Sequence, residues 1–459
     1  MGLRKILVAN RGEIAVRIVR AARDLGIRTV QAASAADGAM LAARMADETV
    51  PIGPAPASRS YLNRDALVAA ALACGADAVH PGYGFLSEDP RFAEAVAAAG
   101  LAFIGPDAAT IRRMGDKAAA RDAATAAGVP TVPGSAGRVP DVPAALALAE
   151  GIGFPLLIKA SAGGGGRGIR VCEDADALAR LFPVAAAEAL AAFGDGGLYL
   201  ERFVSRARHV EVQVLGDGAD VVHLFERECS LQRRRQKVWE EAPAPCLDGA
   251  ARARLCAAAV RLAQGIGYRG AGTLEFLYDE AGGEFYFIEM NTRIQVEHPV
   301  TEMVTGIDIV REMIRIAGGE PLGITQADVS LRGHAVECRI NAEDPAQDFR
   351  PAPGRVTALT IPGGPGVRFD TMLYAGCDVP PFYDSLLGKL VAWDETRAGA
   401  LARMRGALGE LAVAGLPTTA ALHRRLIDAP DVAAGRVHTG WLETWLATGP
   451  SDPTAEART

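Results

Sequence analysis

Apolar residues recur at two spacings along the chain, and the switches between those spacings lay out its elements. Residues 5–9 form a short apolar run, and Asn10-Arg11-Gly12-Glu13 follows as a turn. Ile14, Ile18, Ala21, Ala22 and Leu25 then recur at helical spacing, Gly26 ends that helix, and 28–33 resumes as a strand. This βαβ opening predicts an α/β layer domain with parallel strands. It lacks GxGxxG at its first turn, so no dinucleotide site is expected there. Residues 112–128 read as one helix through Met114-Gly115-Asp116-Lys117, and a Pro/Gly-rich stretch at 129–134 marks a domain edge. From 154 to 201 the order is strand, glycine-rich loop, strand, helix, strand; from 211 to 302 it is mainly strands with one helix at 250–266. The character changes again near 330–334. Strand-like runs follow at 335–340, 355–361 and 387–393, then an Ala/Leu/Arg helix at 397–413 and a small, polar, frayed tail from 448.

A length of 459 residues suits about three domains. Hydrophobic residues are 49% of the chain and charged residues 22%, enough for several cores. A net charge of −7 disfavours wrapping duplex nucleic acid, and 6% aromatics disfavours a base-stacking platform. No window approaches the ~18 apolar residues a membrane helix needs. The first apolar run is too short for a signal peptide, and Ile6 stands where a myristoylation signal wants Ser or Thr. Seven scattered cysteines without a CxxC pair point to a reduced, cytoplasmic compartment. Neither nucleic acid nor membrane is therefore an expected partner.

Three segments carry candidate chemistry. The first is Ser161-Ala162-Gly163-Gly164-Gly165-Gly166-Arg167-Gly168. Glycine lets backbone amides approach phosphate oxygens with no Cβ in the way. Strand-like flanks at 156–160 and 169–171 make this a hairpin lid, whereas a P-loop runs from strand to helix, and the Walker spacing is absent. Lys159 ends the first flank, where it can meet a phosphate. A plain surface hairpin is the competing reading of this segment alone.

The second is Glu289-Met290-Asn291-Thr292-Arg293-Ile294-Gln295-Val296-Glu297. Read as one strand, its odd positions put two carboxylates, a guanidinium and two amides on one face, with a mostly apolar face behind. An ordinary amphipathic strand competes with this reading, but such strands favour Thr, Lys and Ser. With Glu275 on the strand at 272–276, Glu289 and Asn291 offer hard oxygen ligands of the kind Mg²⁺ shares with phosphates. No zinc or EF-hand pattern occurs. The third is basic, from Glu228 to Lys237, and by itself reads as a solvated edge. Lys117, Lys159 and Lys237 are separate cations able to neutralise a triphosphate and a small anion. Cys229 reads as a packed thiol, having no neighbouring His.

Together with His80-Pro81-Gly82-Tyr83-Gly84-Phe85-Leu86-Ser87-Glu88 and Glu337-Cys338-Arg339-Ile340-Asn341-Ala342-Glu343-Asp344-Pro345, these segments resemble the biotin carboxylase family. The match runs in order from Ala9-Asn10-Arg11-Gly12-Glu13 to about Trp445. The resemblance implies α/β and α+β architecture in three domains. These are a pre-ATP-grasp domain (1–115), an ATP-grasp domain (116–330, lid 131–204) and a C-terminal biotin carboxylase domain (331–446), before a frayed tail (447–459).

It also implies a ligase that uses MgATP (or Mn²⁺) and bicarbonate to carboxylate biotin through carboxyphosphate. That is the first half-reaction of a biotin-dependent enzyme such as the acyl-CoA carboxylase of fatty acid synthesis. By resemblance, Lys117, Lys159, Glu201, Arg202, Phe203, Val204, His209, Gln232 and Arg235 contact the nucleotide, with Gly165 and Gly166 in the phosphate lid. Glu275 and Glu289 are counted with these nucleotide contacts, and together with Asn291 they resemble the metal ligands. Lys237, Arg293, Gln295, Val296 and Glu297 make the bicarbonate pocket. Lys237, Arg293, Glu297 as general base and Arg339 as stabiliser of deprotonated biotin are catalytic. Tyr83, Arg339 and Asp384 lie near biotin. The chemistry agrees: a poor electrophile must be activated, cations must hold two anions together, and a carboxylate must take the proton.

Two departures from the family stand out. Arg235 occupies a position usually held by a histidine that faces the nucleotide. Pro365 stands where the bacterial dimer interface often has Phe, although Arg20 and Arg368 match that interface and a homodimer is expected. No Met-Lys-Met motif follows Trp445, so the biotin carrier protein and the carboxyltransferase are expected on other polypeptides. Two other functions compete: a different ATP-grasp ligase joining a carboxylate to an amine, and a non-catalytic nucleotide-binding subunit. Arg293-Ile294-Gln295-Val296-Glu297 with Arg339 argues against the first, and filled metal and base positions against the second.

Overall fold

The computed structural model describes residues 2–161, 168–204 and 206–448. Gly165 and Gly166 lie outside the described residues. Near the N-terminus, β1 (Lys5–Val8), β2 (Arg28–Ser34), β3 (Glu48–Gly53), β4 (Ala78–His80) and β5 (Ala102–Phe103) form a parallel sheet in the order β3-β2-β1-β4-β5. The central strand is apolar on both faces, as a covered parallel strand must be. Ile6 and Val8 pack against Ile14 and Ile18, while Leu7 faces Val30 and Phe92.

The order reverses beside β1, and open α/β sheets bind ligands where strand order reverses. There the Asn10 amide donates to the carbonyls of Pro81 (2.6 Å) and Tyr83 (2.7 Å), pinning the second loop to the first. Gly82 has φ +61, and a Cβ there would stand 3.0 Å from Asn10 Nδ2, so only glycine fits comfortably.

The helix expected over 112–128 is two helices, Ala108–Gly115 and Lys117–Ala126. Asp116 breaks it: with extended backbone, its side chain accepts the Ala119 N–H at 2.9 Å and caps the second helix. Lys117 therefore opens a new helix.

A three-stranded antiparallel unit follows, made by β6 (Leu156–Ala160), β7 (Ile169–Cys172) and β8 (Leu198–Arg202) in the order β7-β6-β8. β6 and β7 pair from Leu156↔Cys172 to Lys159↔Ile169, so the glycine-rich segment does join two paired strands. Helices Val142–Ile152 and Ala175–Phe193 complete a core around Leu156, Ile158 and Phe182.

The largest sheet contains β9 (Arg208–Asp217), β10 (Val221–Arg233), β11 (Gln236–Ala242), β12 (Arg269–Asp279), β13 (Glu284–Asn291) and β14 (His334–Asn341). Its eight strands run β13-β12-β9-β10-β11-β14, then strand Leu386–Asp394 and edge strand Val367–Thr371. The sheet thus continues past the change of character near 330, through Trp239↔Cys338 between β11 and β14. Helix Gly249–Gly265 covers one part, packing Leu255 and Leu262 on Val212 and Leu274. Helix Arg397–Glu410 covers another, with Met404 and Leu408 on Val336 and Leu390. This helix stops short of the expected 413, where Ala412–Ala414 pairs as a strand with Ala358–Thr360. The run at 355–361 is likewise two short strands, Gly354–Arg355 and Ala358–Thr360. Among the described residues no helix is long and apolar enough to cross a membrane.

Candidate functional site

Strand β9 alternates His209, Glu211 and Gln213 with Val210, Val212 and Val214. The valines enter the core under the sheet, so the polar set lies on the opposite face, and it too is buried. Register carries this row across the sheet. Glu211 pairs with Glu275, which pairs with Glu289, while Arg227 of β10 sits on the far side of Glu211. Like charges directly opposite one another repel, so a row of three carboxylates needs cations.

Lys237 supplies one. From β11 its ammonium donates to Glu211 Oε2 (2.6 Å), Glu275 Oε1 (3.0 Å) and Glu297 Oε1 (2.6 Å), engaging all three of its N–H donors. Arg227, fully buried, supplies another. It donates to Glu211 Oε1 (2.7 Å), Gln213 Oε1 (2.7 Å), Thr301 Oγ1 (3.0 Å), Thr273 Oγ1 (3.1 Å) and Gln295 Oε1 (2.9 Å). The Gln295 amide nitrogen in turn donates to Glu275 at 2.8 Å, so both ends of that side chain are fixed. Burial lowers the His209 imidazole, but Glu275 raises it further, to about 9. His209 therefore faces Glu275 (3.3 Å) and Glu211 (3.5 Å) as a cation.

The segment 289–297 is not one strand. β13 ends at Asn291, whose partner Thr273 is the last pair on that edge. The Thr292 N–H donates to Glu88 Oε1 at 3.0 Å, where a ladder partner would stand, and helix His298–Thr305 begins immediately after Glu297. Arg293, Gln295 and Glu297 thus sit on a turn. Burial of Ile294 still anchors it from behind, and the polar groups converge without a common strand face. Arg293 donates to Glu88 Oε2 (2.8 Å) and Asn291 Oδ1 (2.9 Å). Glu297 meets Lys237 with one oxygen and Arg339 Nη2 (2.9 Å) with the other. Burial pushes its carboxyl up, but Lys237 and Arg339 outweigh that and hold it below the usual carboxylate range.

Arg339 projects from β14 and also donates to Glu240 Oε1 at 2.5 Å. Burial raises the Glu240 carboxyl to about 7 against the pull of Arg339. Tyr83 donates its hydroxyl to Glu13, and both Arg339 and the exposed Asp384 act on it electrostatically.

Glu275 Oε1 also accepts from the Asn291 amide at 3.0 Å. Glu289 stands at the exposed edge of this row; desolvation of its carboxyl by the surrounding protein, although its surface is open to solvent, and the Glu275 charge raise it, and Lys117 opposes them. Two carboxylates opposed across strands, with an amide oxygen beside them, form a hard-oxygen set that fits Mg²⁺ carried with phosphates. The described residues also bring ligand atoms of His209, Glu211 and Glu275 within 4.8 Å of one another.

Lys159 pairs with Glu201 across β6 and β8, and Arg121 holds the other oxygen of Glu201 at 2.8 Å. Arg202, Phe203 and Val204 line a groove with Phe154, Pro155 and Glu280. Gln232 is buried and donates to the Cys229 carbonyl at 2.9 Å. Arg235 is exposed in the β10–β11 turn, where it and Arg234 have φ +66 and +48. Arg233 and Arg234 pair with Asp348, so the three arginines form a hairpin tip, while Lys237 reaches inward from β11. Cys229 is a buried thiol, pushed well up by burial, as its packed reading implied. Glu211, Arg227, Glu240 and Glu88 were missed in the sequence. The alternation His209-Val210-Glu211-Val212-Gln213-Val214 was the signal that could have found Glu211, since it repeats the pattern read at 289–297.

The family model described as Biotin carboxylase, N-terminal domain, matches residues 2–111. Carbamoyl-phosphate synthase L chain, ATP binding domain, matches 116–325, and Biotin carboxylase C-terminal domain matches 337–444. The chain is 54% identical to a biotin carboxylase of Nostoc sp., covering 96% of this chain and 98% of that one. It is 56% identical to a biotin carboxylase of Pseudomonas aeruginosa, covering 97% and 99%. Among solved structures, the biotin carboxylase domain dimer of Hydrogenobacter thermophilus 2-oxoglutarate carboxylase, with MgADP, ADP and bicarbonate, superposes with a TM-score of 0.89. That match is at 45% identity and covers 98% of this chain and 100% of that chain.

Proposed function

This chain belongs to the biotin carboxylase family, an ATP-dependent ligase that carboxylates biotin with bicarbonate through carboxyphosphate, and from that premise we propose how its side chains divide the work. One observation carries the division: Lys237 reaches from β11 to meet, at 2.6 Å, the base Glu297 on the turn that also bears Arg293 and Gln295.

Lys237, Arg293, Gln295 and the backbone at Val296 hold bicarbonate. Glu297 takes its hydroxyl proton while a bicarbonate oxygen attacks the γ-phosphorus and ADP leaves. A base kept ionised by Lys237 and Arg339 suits that task, because it stands ready at neutral pH. Lys117, Lys159, Glu201, Arg202, Phe203, Val204, His209, Gln232 and Arg235 bind the nucleotide, and Gly165 and Gly166 cover its phosphates. Glu275, Glu289 and Asn291 hold Mg²⁺, which when bound supplies positive charge to the phosphate oxygens. Arg339 then faces biotin. The C–O bond of carboxyphosphate breaks to give CO₂ and phosphate, the phosphate takes the N1′ proton, and the ureido anion so formed attacks CO₂ to make the N–C bond. The Arg339 guanidinium, already between two carboxylates, stabilises that anion, with Tyr83 and Asp384 beside it.

Biotin arrives on a carrier protein, and a carboxyltransferase passes the carboxyl group on. Arg20 and Arg368 line one cleft with Arg17 and Glu302, and in this reading that face meets a second copy of the chain. Seven unpaired cysteines suit a reduced, cytoplasmic setting. The three units are 1–115, 116–330 and 331–446, close to the limits of the family models. The test is ADP release from MgATP, which must require both bicarbonate and biotin. Release that ignores bicarbonate but needs an amino acid would instead mark a carboxylate–amine ligase.

A further inference from the structure

The turn bearing Gln295, Val296 and Glu297 is gripped from a second side, by a residue outside the proposed pocket. Lys389 lies on strand Leu386–Asp394 with its side chain fully buried. It stands directly opposite Arg339 of β14, and opposite Asp370 on its other side, so all three project from one face of the sheet. Arg339 reaches the Glu297 carboxylate. Lys389, one strand further, donates its ammonium to the Val296 carbonyl at 2.9 Å. The same ammonium lies 3.1 Å from Glu13, which also accepts the Tyr83 hydroxyl. Consecutive residues of the turn are thus held by consecutive members of one cross-strand row, and the far end of that tie rests on the biotin-side tyrosine.

We infer that Lys389 is a positioning residue for bicarbonate: by fixing the Val296 carbonyl it sets the turn that presents Gln295 and Glu297. The inference rests on the bicarbonate pocket proposed above. A lysine buried this completely is costly unless paired, and pairing with Glu13 alone accounts for its charge but not for its bond to the turn. That difference is what an experiment can read.

The double variant Glu13→Gln/Lys389→Met removes both charges together, leaving no uncompensated ion in the core. Lys389→Arg keeps the charge pair and shifts the donor. Both are melted to confirm folding, then assayed for ADP release with free biotin at varied bicarbonate and varied ATP. Misplacing a reacting group by about 1 Å can cost about a hundred-fold. The expected result is a bicarbonate KM raised about ten-fold or more in the double variant and less in Lys389→Arg, with the ATP KM within about two-fold of wild type. A wild-type bicarbonate KM in either folded variant overturns the inference, because Lys389 then serves charge balance alone. Failure of the functional reading is visible separately, as wild-type protein whose ADP release ignores bicarbonate.

Discussion

Lys237 Nζ lies 2.6 Å from Glu297 Oε1, and two further carboxylates, Glu211 and Glu275, take its remaining donors. An ammonium held by three carboxylates stays charged, and burial does not reverse this. It also keeps Glu297 ionised. The proposed anion pocket is therefore assembled before any anion arrives, and its groups neutralise one another meanwhile.

Removing the base without removing the nucleotide contacts separates the two functions. Glu297→Gln keeps a group of the same size and loses the proton acceptor. Bicarbonate-dependent turnover is expected to fall by about 10²–10⁴-fold, while MgATP affinity measured by calorimetry stays within about two-fold. Equal loss of nucleotide binding would contradict the separation.

Arg339 touches both Glu297 and Glu240, so Arg339→Ala acts at two stages. Bicarbonate-dependent ATP cleavage slows because Glu297 loses one of its anchors. Carboxyl transfer to biotin slows about ten-fold more, because the ureido anion loses its counter-charge. Rapid-quench measurement of both steps checks this, and a proportional fall in the two would assign Arg339 to the earlier step alone.

Asp116 decides where Lys117 stands. Asp116→Ala removes the helix cap at a cost of about 1 kcal/mol and frees the first turn of helix Lys117–Ala126. The ATP KM is expected to rise several-fold, and Asp116→Asn to restore it, since the amide oxygen also caps. A melting curve beside steady-state kinetics reads both effects.

Glu241 gives a stability signature away from the site. Burial pushes its carboxyl up, but His334 and Arg397 bring it down to about 2. A pKa lower in the folded than in the unfolded chain (about 4.3) adds stability above the unfolded value, of the order of 3 kcal/mol. That stability is lost as the pH falls from about 4.3 towards 2. Glu241→Gln should therefore melt lower than wild type at pH 7, with the gap narrowing towards pH 3. A gap that stays constant across this range would rule out the linkage.

The local code carried a good deal of this. Buried apolar runs and helical spacing predicted the βαβ opening, and the glycine-rich segment lies between two paired strands as read. Glu275, Glu289 and Asn291 came out as neighbours because a two-residue period and antiparallel pairing are regular. Helix limits at 112–128 and 397–413 were less legible, because a single capping aspartate or a short strand can override helical spacing.

By itself, then, the sequence determined which residues could do chemistry and, where a strand does form as at Glu275, Glu289 and Asn291, which face each occupies, since both follow from side-chain type and backbone period. Tertiary structure alone decided that Arg293, Gln295 and Glu297 meet on a turn, because Glu88, 204 residues away along the chain, takes the Thr292 N–H that a strand would have used. It also decided that Lys237, Arg339 and Lys389, from three strands of one sheet, close on that turn. Contacts between residues far apart in the chain depend on how whole layers pack, and no local pattern encodes them.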